Sequence, residues 1–318
     1  MLDRKEVMTL SVAENFDPTP SLRGKMSAYL ELSKSGIVTL VLISVLGGYL
    51  IGQPSETSLS WIRMATTLVG VLFLASGSSA LNQLQEIPQD TQMPRTAKRP
   101  LPSGRISQAG AWIFTGVAIS SGLLILSQVS MAVFGLGLCA VASYNGLYTL
   151  WWKRHWAYAA VPGAIPGALP ILMGHVAANG SLFAPAGIYL FALLFFWQMP
   201  HFWVLALRYR SDYESGSFPT LPVSRGAGVT VFQIVVWCLT YVGSSIVAPF
   251  FLHVSWLYLS VALITSVKVL VELRKFVKQP ESKSWLHFFL WVNFSLIAYI
   301  FAMAADLWSV YLVPILTR

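Results

Sequence analysis

The chain has 318 residues, 55% of them hydrophobic and only 11% charged, with a formal net charge of +8 and a mean hydropathy of +0.63. A soluble domain carries about a quarter charged residues, so this composition excludes a soluble fold and indicates a polytopic membrane protein. The positive balance would suggest nucleic acid in a soluble chain; here loops facing anionic headgroups account for it, and no nucleic acid partner is expected.

Residues 1–25 hold Asp3, Glu6, Glu14 and Asp17 and lack an apolar core, unlike a transit peptide or a cleaved signal. They read as a cytoplasmic N-terminal tail, with residues 26–318 as a single transmembrane domain of a bacterial plasma membrane protein.

Nine apolar runs follow, at 36–52, 61–83, 108–127, 130–150, 157–175, 184–207, 229–248, 251–272 and 285–304. Each is near the roughly 20 residues that an α-helix needs to cross a bilayer, so the expected fold class is an all-α bundle of about nine transmembrane helices. With the N-terminus inside, every lysine and arginine except Arg63 and Arg318 falls in or beside an inner segment. That bias fixes the expected orientation. Cys139 and Cys238 fall in spans far from any CxxC spacing and read as buried thiols.

Two inner loops, 84–107 and 208–228, are long, whereas the outer loops are short and poor in charge. In the first, Asn82, Glu86 and Asp90 recur every four residues, a spacing that keeps side chains on one helix face. Pro88 cannot sit inside a regular helix, so the helix is expected to end or kink near residues 85–87 and Asp90 to reach the site from a loop. Carboxylates with an amide are the hard oxygen ligands that Mg²⁺ prefers, usually shared with substrate phosphates. Arg95, Lys98 and Arg99 downstream offer the cations that phosphate oxygens seek. Simple pairing of Glu86 and Asp90 with Arg95 or Arg99 at the membrane surface is the competing reading.

The second loop repeats the mixture, with Arg208, Arg210, Asp212 and Glu214 after a long apolar run. His201 lies two turns before it, in "WQMPHFW", where packing among aromatics competes with ligation. In the fourth span Tyr144 offers an aromatic face that could stabilise a carbocation, and Asn145 must find a partner in the low-dielectric interior.

These stretches resemble the UbiA superfamily of intramembrane prenyltransferases and, within it, the protohaem IX farnesyltransferases. The likeness rests on "NQLQEIPQDTQMPRTAKRPLPSGRIS", with Met93, Arg95, Thr96, Arg99 and Pro100 in a Met-x-Arg-Thr-x-x-Arg-Pro pattern. "YTLWWKR", "PGAIPGALPILMGH" and "WQMPHFWVLAL" leading into "DYESGSFPTLP" extend it along nearly the whole chain. The chain departs from that pattern at Glu86, where Asp is common, at Pro88, where a third acid is common, and at Lys34 in "ELSKSG", where Lys-Pro-Arg is usual.

The resemblance implies that farnesyl diphosphate and haem B give haem O and diphosphate. It further implies Mg²⁺ on Asn82, Glu86, Asp90 and Asp212 as the catalytic set. Substrate would be held by Arg95, Lys98, Arg99, Tyr144, Asn145, His201 and Arg208, with His201 able to bind haem iron. Membrane lipids, haem A synthase and terminal oxidase assembly proteins would be its partners. The tail of the substrate is expected in a pocket lined by Leu, Phe and Trp. Rival readings are prenyl transfer to an aromatic quinone or chlorophyll precursor, a transporter, and a haem-carrying assembly factor.

Overall fold

The computed structural model describes residues 22–53, 59–280 and 283–316. Most of the expected N-terminal tail therefore lies outside the described residues. The described chain is all helical: α1 (Leu22–Leu32), α2 (Ser35–Gly52), α3 (Trp61–Gln85), α4 (Ile87–Gln92), α5 (Gln108–Val129), α6 (Met131–His155), α7 (Ala160–Asn179), α8 (Pro185–Arg208), α9 (Arg210–Ser215), α10 (Leu221–Ile246), α11 (Trp256–Lys278) and α12 (Ser284–Leu316). Among the described residues nine of these are long and apolar enough to span a bilayer: α2, α3, α5, α6, α7, α8, α10, α11 and α12.

Apolar side chains around the full circumference keep these helices in lipid or in the core, as expected where backbone groups must be satisfied within each segment. Serine caps begin four of them: Ser60 accepts from Arg63 N–H, Ser107 from Gly110 N–H, Ser130 from Val133 N–H and Ser255 from Leu257 N–H.

The most extensive helix contacts are α3 with α5 and α2 with α7. Small residues permit the second. A Cβ on Gly174 would lie 2.9 Å from Tyr49 N, and one on Gly52 would lie 2.7 Å from the His175 carbonyl. Without a hydrophobic drive between helices in lipid, such close backbone approach supplies packing. α7 is the most buried span and carries Pro166 and Pro170 inside it.

Three details differ from expectation. The seventh span begins at Leu221 rather than near residue 229, because a short helical start is joined to the main run across Gly226, whose φ of 82° breaks the helix without ending it. Asp90 sits on the short helix α4, not on a loop: the chain kinks at Glu86 and Pro88 falls in the first turn, where its missing N–H costs nothing. Cys139 is exposed, while Cys238 is buried.

Candidate active site

The site is assembled at the end of the bundle where α3, α6 and α8 finish and α2 begins. α1 and α2 meet at Lys34, a non-glycine residue in the left-handed region (φ 53°, ψ 50°), a conformation that costs energy and recurs at functional sites. That turn brings Lys34 Nζ to Asn82 Oδ1 at 2.6 Å.

α6 changes character where it meets the site. After Val141 it runs as a π-helix from Ala142 to Trp152 and regains an α turn at Lys153–His155. Widened helical segments of this kind are frequent at functional sites. The widening lets Thr149 Oγ1 donate to Tyr144 O at 2.8 Å while accepting from Asn82 Nδ2 at 3.2 Å. Tyr144 and Tyr148 stack, with ring centroids 6.0 Å apart and planes 14° apart.

Each acid of the first loop is met by a base. Lys153 Nζ donates to Glu86 Oε1 at 2.6 Å, and Arg99 Nη1 reaches both Asp90 oxygens at 2.8 and 2.6 Å. Glu86 and Asp90 are buried, with side chains 2% and 0% exposed. These are therefore interior pairs, whose rupture leaves an uncompensated charge. Burial pushes the Glu86 carboxyl up, but Lys153, Lys34 and Arg99 together hold it below its ordinary value. Burial first, and then the Arg99 guanidinium, pull the Lys34 ammonium down to about 7.

The second loop closes against the first. Arg95 Nε lies 3.6 Å from Asp212 Oδ2 and its guanidinium stands 5.3 Å from the Tyr209 ring centre. Buried Met93 packs against Gly216, where a Cβ would lie 2.9 Å from its sulfur. Thr96 Oγ1 donates to Asp90 O at 3.0 Å, tying the Met-x-Arg-Thr stretch back onto α4.

Beneath these groups lies a cavity of about 470 Å³. Lys34, Asn82, Glu86, Asp90, Arg95, Arg99, Tyr144, Tyr148 and Lys153 line its polar end, and Val71, Leu74, Val141, Pro170 and Met173 its apolar end. No tryptophan lines it among the described residues, contrary to the expected Leu, Phe and Trp wall: valine, alanine and glycine leave the width.

Of the residues singled out from sequence, Asn82, Glu86, Asp90, Arg95, Arg99 and Tyr144 line this cavity. Asp212 stands at its rim through Arg95. Lys98 is exposed, its carbonyl accepting from Arg105 Nη2. Asn145 faces α3, accepting from Ser78 Oγ at 2.5 Å and donating to Ser78 O at 2.9 Å. His201 turns toward α12, bonded to Asn293 Oδ1 at 2.9 Å between Trp197 and Phe289. Arg208 lies over the Trp285 ring.

Lys153 and Tyr148 were not singled out. Their signal was the spacing of Tyr144, Tyr148 and Lys153, which places all three toward one side once the helix is widened.

Among the described residues no three His, Cys, Asp or Glu side chains meet as a ready metal centre. The oxygens of Asn82, Glu86 and Asp90 on one wall nevertheless fit Mg²⁺, which takes one or two carboxylates and completes its octahedron with phosphates and water.

The UbiA prenyltransferase family model matches residues 41–312. The chain belongs to that family. A protoheme IX farnesyltransferase of Bdellovibrio bacteriovorus is 44% identical over 281 residues, covering 88% of this chain and 96% of the relative. One from Aquifex aeolicus is 38% identical over 264 residues, 82% and 89% of the two chains.

Among solved structures, a digeranylgeranylglyceryl phosphate synthase superposes with a TM-score of 0.73 at 17% identity, covering 89% of this chain and 98% of the other. A UbiA homologue from Archaeoglobus fulgidus bound to GPP and Mg²⁺ does so at 0.65 and 17%, covering 87% and 99%. At those identities the structures establish the UbiA fold, a multi-pass membrane bundle.

Proposed function

We propose that this enzyme transfers the farnesyl group of farnesyl diphosphate to a vinyl group of haem B, with addition of water, giving haem O and diphosphate. The observation that carries this reading is the cavity itself: buried acids and bases crowd one end, and an apolar chamber suited to a hydrocarbon chain continues from it. The acceptor follows from the protoheme IX farnesyltransferases that align over most of this chain.

The geometry supports a division of labour. Lys34, Lys153, Arg95 and Arg99 face the position where diphosphate charge accumulates as the allylic carbon–oxygen bond breaks, a preorganised arrangement that favours the departing anion. Three of these cations are paired with Glu86, Asp90 and Asp212. Binding exchanges carboxylate partners for phosphate oxygens. Asn82, Glu86 and Asp90 are then the residues that would hold Mg²⁺, which supplies neutralisation of the leaving group. Asp212 positions the Arg95 guanidinium at the rim. The stacked faces of Tyr144 and Tyr148 line the path of the allylic cation, which aromatic faces attract.

The cationic end of the bundle faces the cytoplasm of a bacterial plasma membrane, in keeping with the lysine and arginine bias. Farnesyl diphosphate and haem B are the substrates.

The test is incubation of the purified protein with haem B, farnesyl diphosphate and Mg²⁺, beside a sample containing EDTA, with mass analysis of the extracted haem. A metal-dependent farnesylated, hydrated haem is the expected outcome. Prenylation of a quinone precursor instead would retain the chemistry and overturn the acceptor.

A further inference from the structure

The α7 and α8 faces of the cavity are made of Ala, Gly, Pro, Met and Phe, with one exception. Among the described residues on those faces, Gln198 of α8 is the sole polar side chain.

Its carboxamide is held in one orientation. Nε2 donates to Ala164 O at 2.9 Å and to Leu194 O at 3.3 Å. Reversing the amide would set its oxygen against two carbonyl oxygens, so the hydrogen-bond network assigns which atom is which. Both N–H groups are thereby used. Oε1 has no donor among the described residues, yet it is not one of the sealed, unpartnered atoms of the interior. It is an acceptor on an otherwise apolar face of the cavity, where an unpaired polar atom carries a cost.

Two glycines of α7 make room for this arrangement. A Cβ on Gly167 would fall on Gln198 Oε1 and lie 2.8 Å from its amide carbon. One turn earlier, a Cβ on Gly163 would lie 2.6 Å from two ring atoms of Tyr148. Residues four apart on a helix are stacked neighbours, about 6 Å along the axis. The Gln198 acceptor therefore sits about one helical turn along α7 from the Tyr148 ring.

We propose that Gln198 positions the water that completes the reaction. The inference rests on the haem reading above. Transfer to an aromatic ring ends with loss of a proton and consumes no water, whereas transfer to a vinyl group leaves a cation that must be quenched.

The carbon–oxygen bond of farnesyl diphosphate breaks, its electron pair leaving with diphosphate. The terminal vinyl carbon forms the new carbon–carbon bond, placing positive charge on the carbon next to the porphyrin. Water donates one O–H to Gln198 Oε1 and directs a lone pair at that carbon, forming the carbon–oxygen bond of the hydroxyl. A carboxamide is too weak a base to keep the proton, which passes to the diphosphate released in the first step. Gln198 holds and aims the nucleophile.

The test runs the purified protein with haem B, farnesyl diphosphate and Mg²⁺ in water labelled with heavy oxygen, and weighs the haem products. The unsubstituted protein gives labelled hydroxylated product. Gln198→Leu is expected to lower the hydrated share about tenfold or more, the scale of one lost hydrogen bond. A farnesylated haem lighter by one water appears in its place, and the KM for farnesyl diphosphate is unchanged. A merely structural role would lower both products together.

Labelled hydroxylated product at the original rate and share from Gln198→Leu overturns the proposal. Should that variant fail to fold, Gly167→Ala carries the same test, since its methyl group displaces the carboxamide without removing it: a shift toward the lighter product supports the role, and an unchanged ratio overturns it. If the unsubstituted protein makes no haem product while prenylating another acceptor, the haem reading falls and this role falls with it.

Discussion

At the scale of single residues, the site is a set of charge pairs. Lys153 and Glu86 illustrate the consequence. Glu86 is 2% exposed and Lys153 16%, so removing one partner strands the other in a poorly solvated place. Lys153→Met is expected to lower stability by about 3 kcal/mol, the cost of breaking a buried pair from one side. The double substitution Lys153→Met with Glu86→Gln removes both charges and should regain most of that loss while leaving transfer abolished. Thermal unfolding in detergent alongside the haem assay checks both halves; a double variant no more stable than the single one would show that the pair is not the source of the cost. Lys34 belongs to the same economy of charge. Its ammonium is pulled down to about 7 by burial and by Arg99, and an anion placed beside it would favour its charged form.

At the scale of elements, local departures from regular helix build the site, and they mark where sequence reasoning succeeds and fails. The nine spans were legible because twenty or so apolar residues in lipid can only be helix. The acid-then-base loop was legible because its charges are conspicuous in a chain with so few. Lys153 was not, because a lysine just after Trp151 and Trp152 is indistinguishable in sequence from an interfacial anchor, and only the π-helical stretch turns it toward Glu86. Gly226 hid the true start of α10 for a similar reason: a single left-handed residue interrupts the apolar pattern without ending the helix. Close α2–α7 packing gives a further expectation. Gly174→Leu would force apart backbones now separated by little more than a glycine Cα, with Tyr49 N only 2.9 Å from the site of a Cβ. Overpacking of this kind costs roughly 1–3 kcal/mol. A lower unfolding temperature is expected, with activity falling only as the folded fraction falls; a loss of turnover in fully folded protein would instead implicate this seam in catalysis.

At the scale of the whole molecule, the distribution of charge decides which way the bundle sits. Arg95, Arg99, Lys153 and Arg208 all gather at the end where the cavity's polar groups lie, while the opposite loops hold little beyond Arg63, which is spent on the Val129 carbonyl at 3.1 Å. Four of the lysines and arginines that make up this bias, Lys34, Arg95, Arg99 and Lys153, are also the cations proposed to meet the diphosphate, so the proposed chemistry and the proposed orientation are tested together. The consequence is measurable with single cysteines in a background where Cys139 and Cys238 are replaced by alanine. Ser103 and Ser181 are both exposed, the first in the loop after α4 and the second between α7 and α8. In intact cells a membrane-impermeant thiol reagent is expected to label Ser181→Cys and spare Ser103→Cys, and in inverted vesicles to do the reverse. The opposite pattern would place the diphosphate end outside the cytoplasm, where the anionic substrate would have to be supplied from the other side of the membrane.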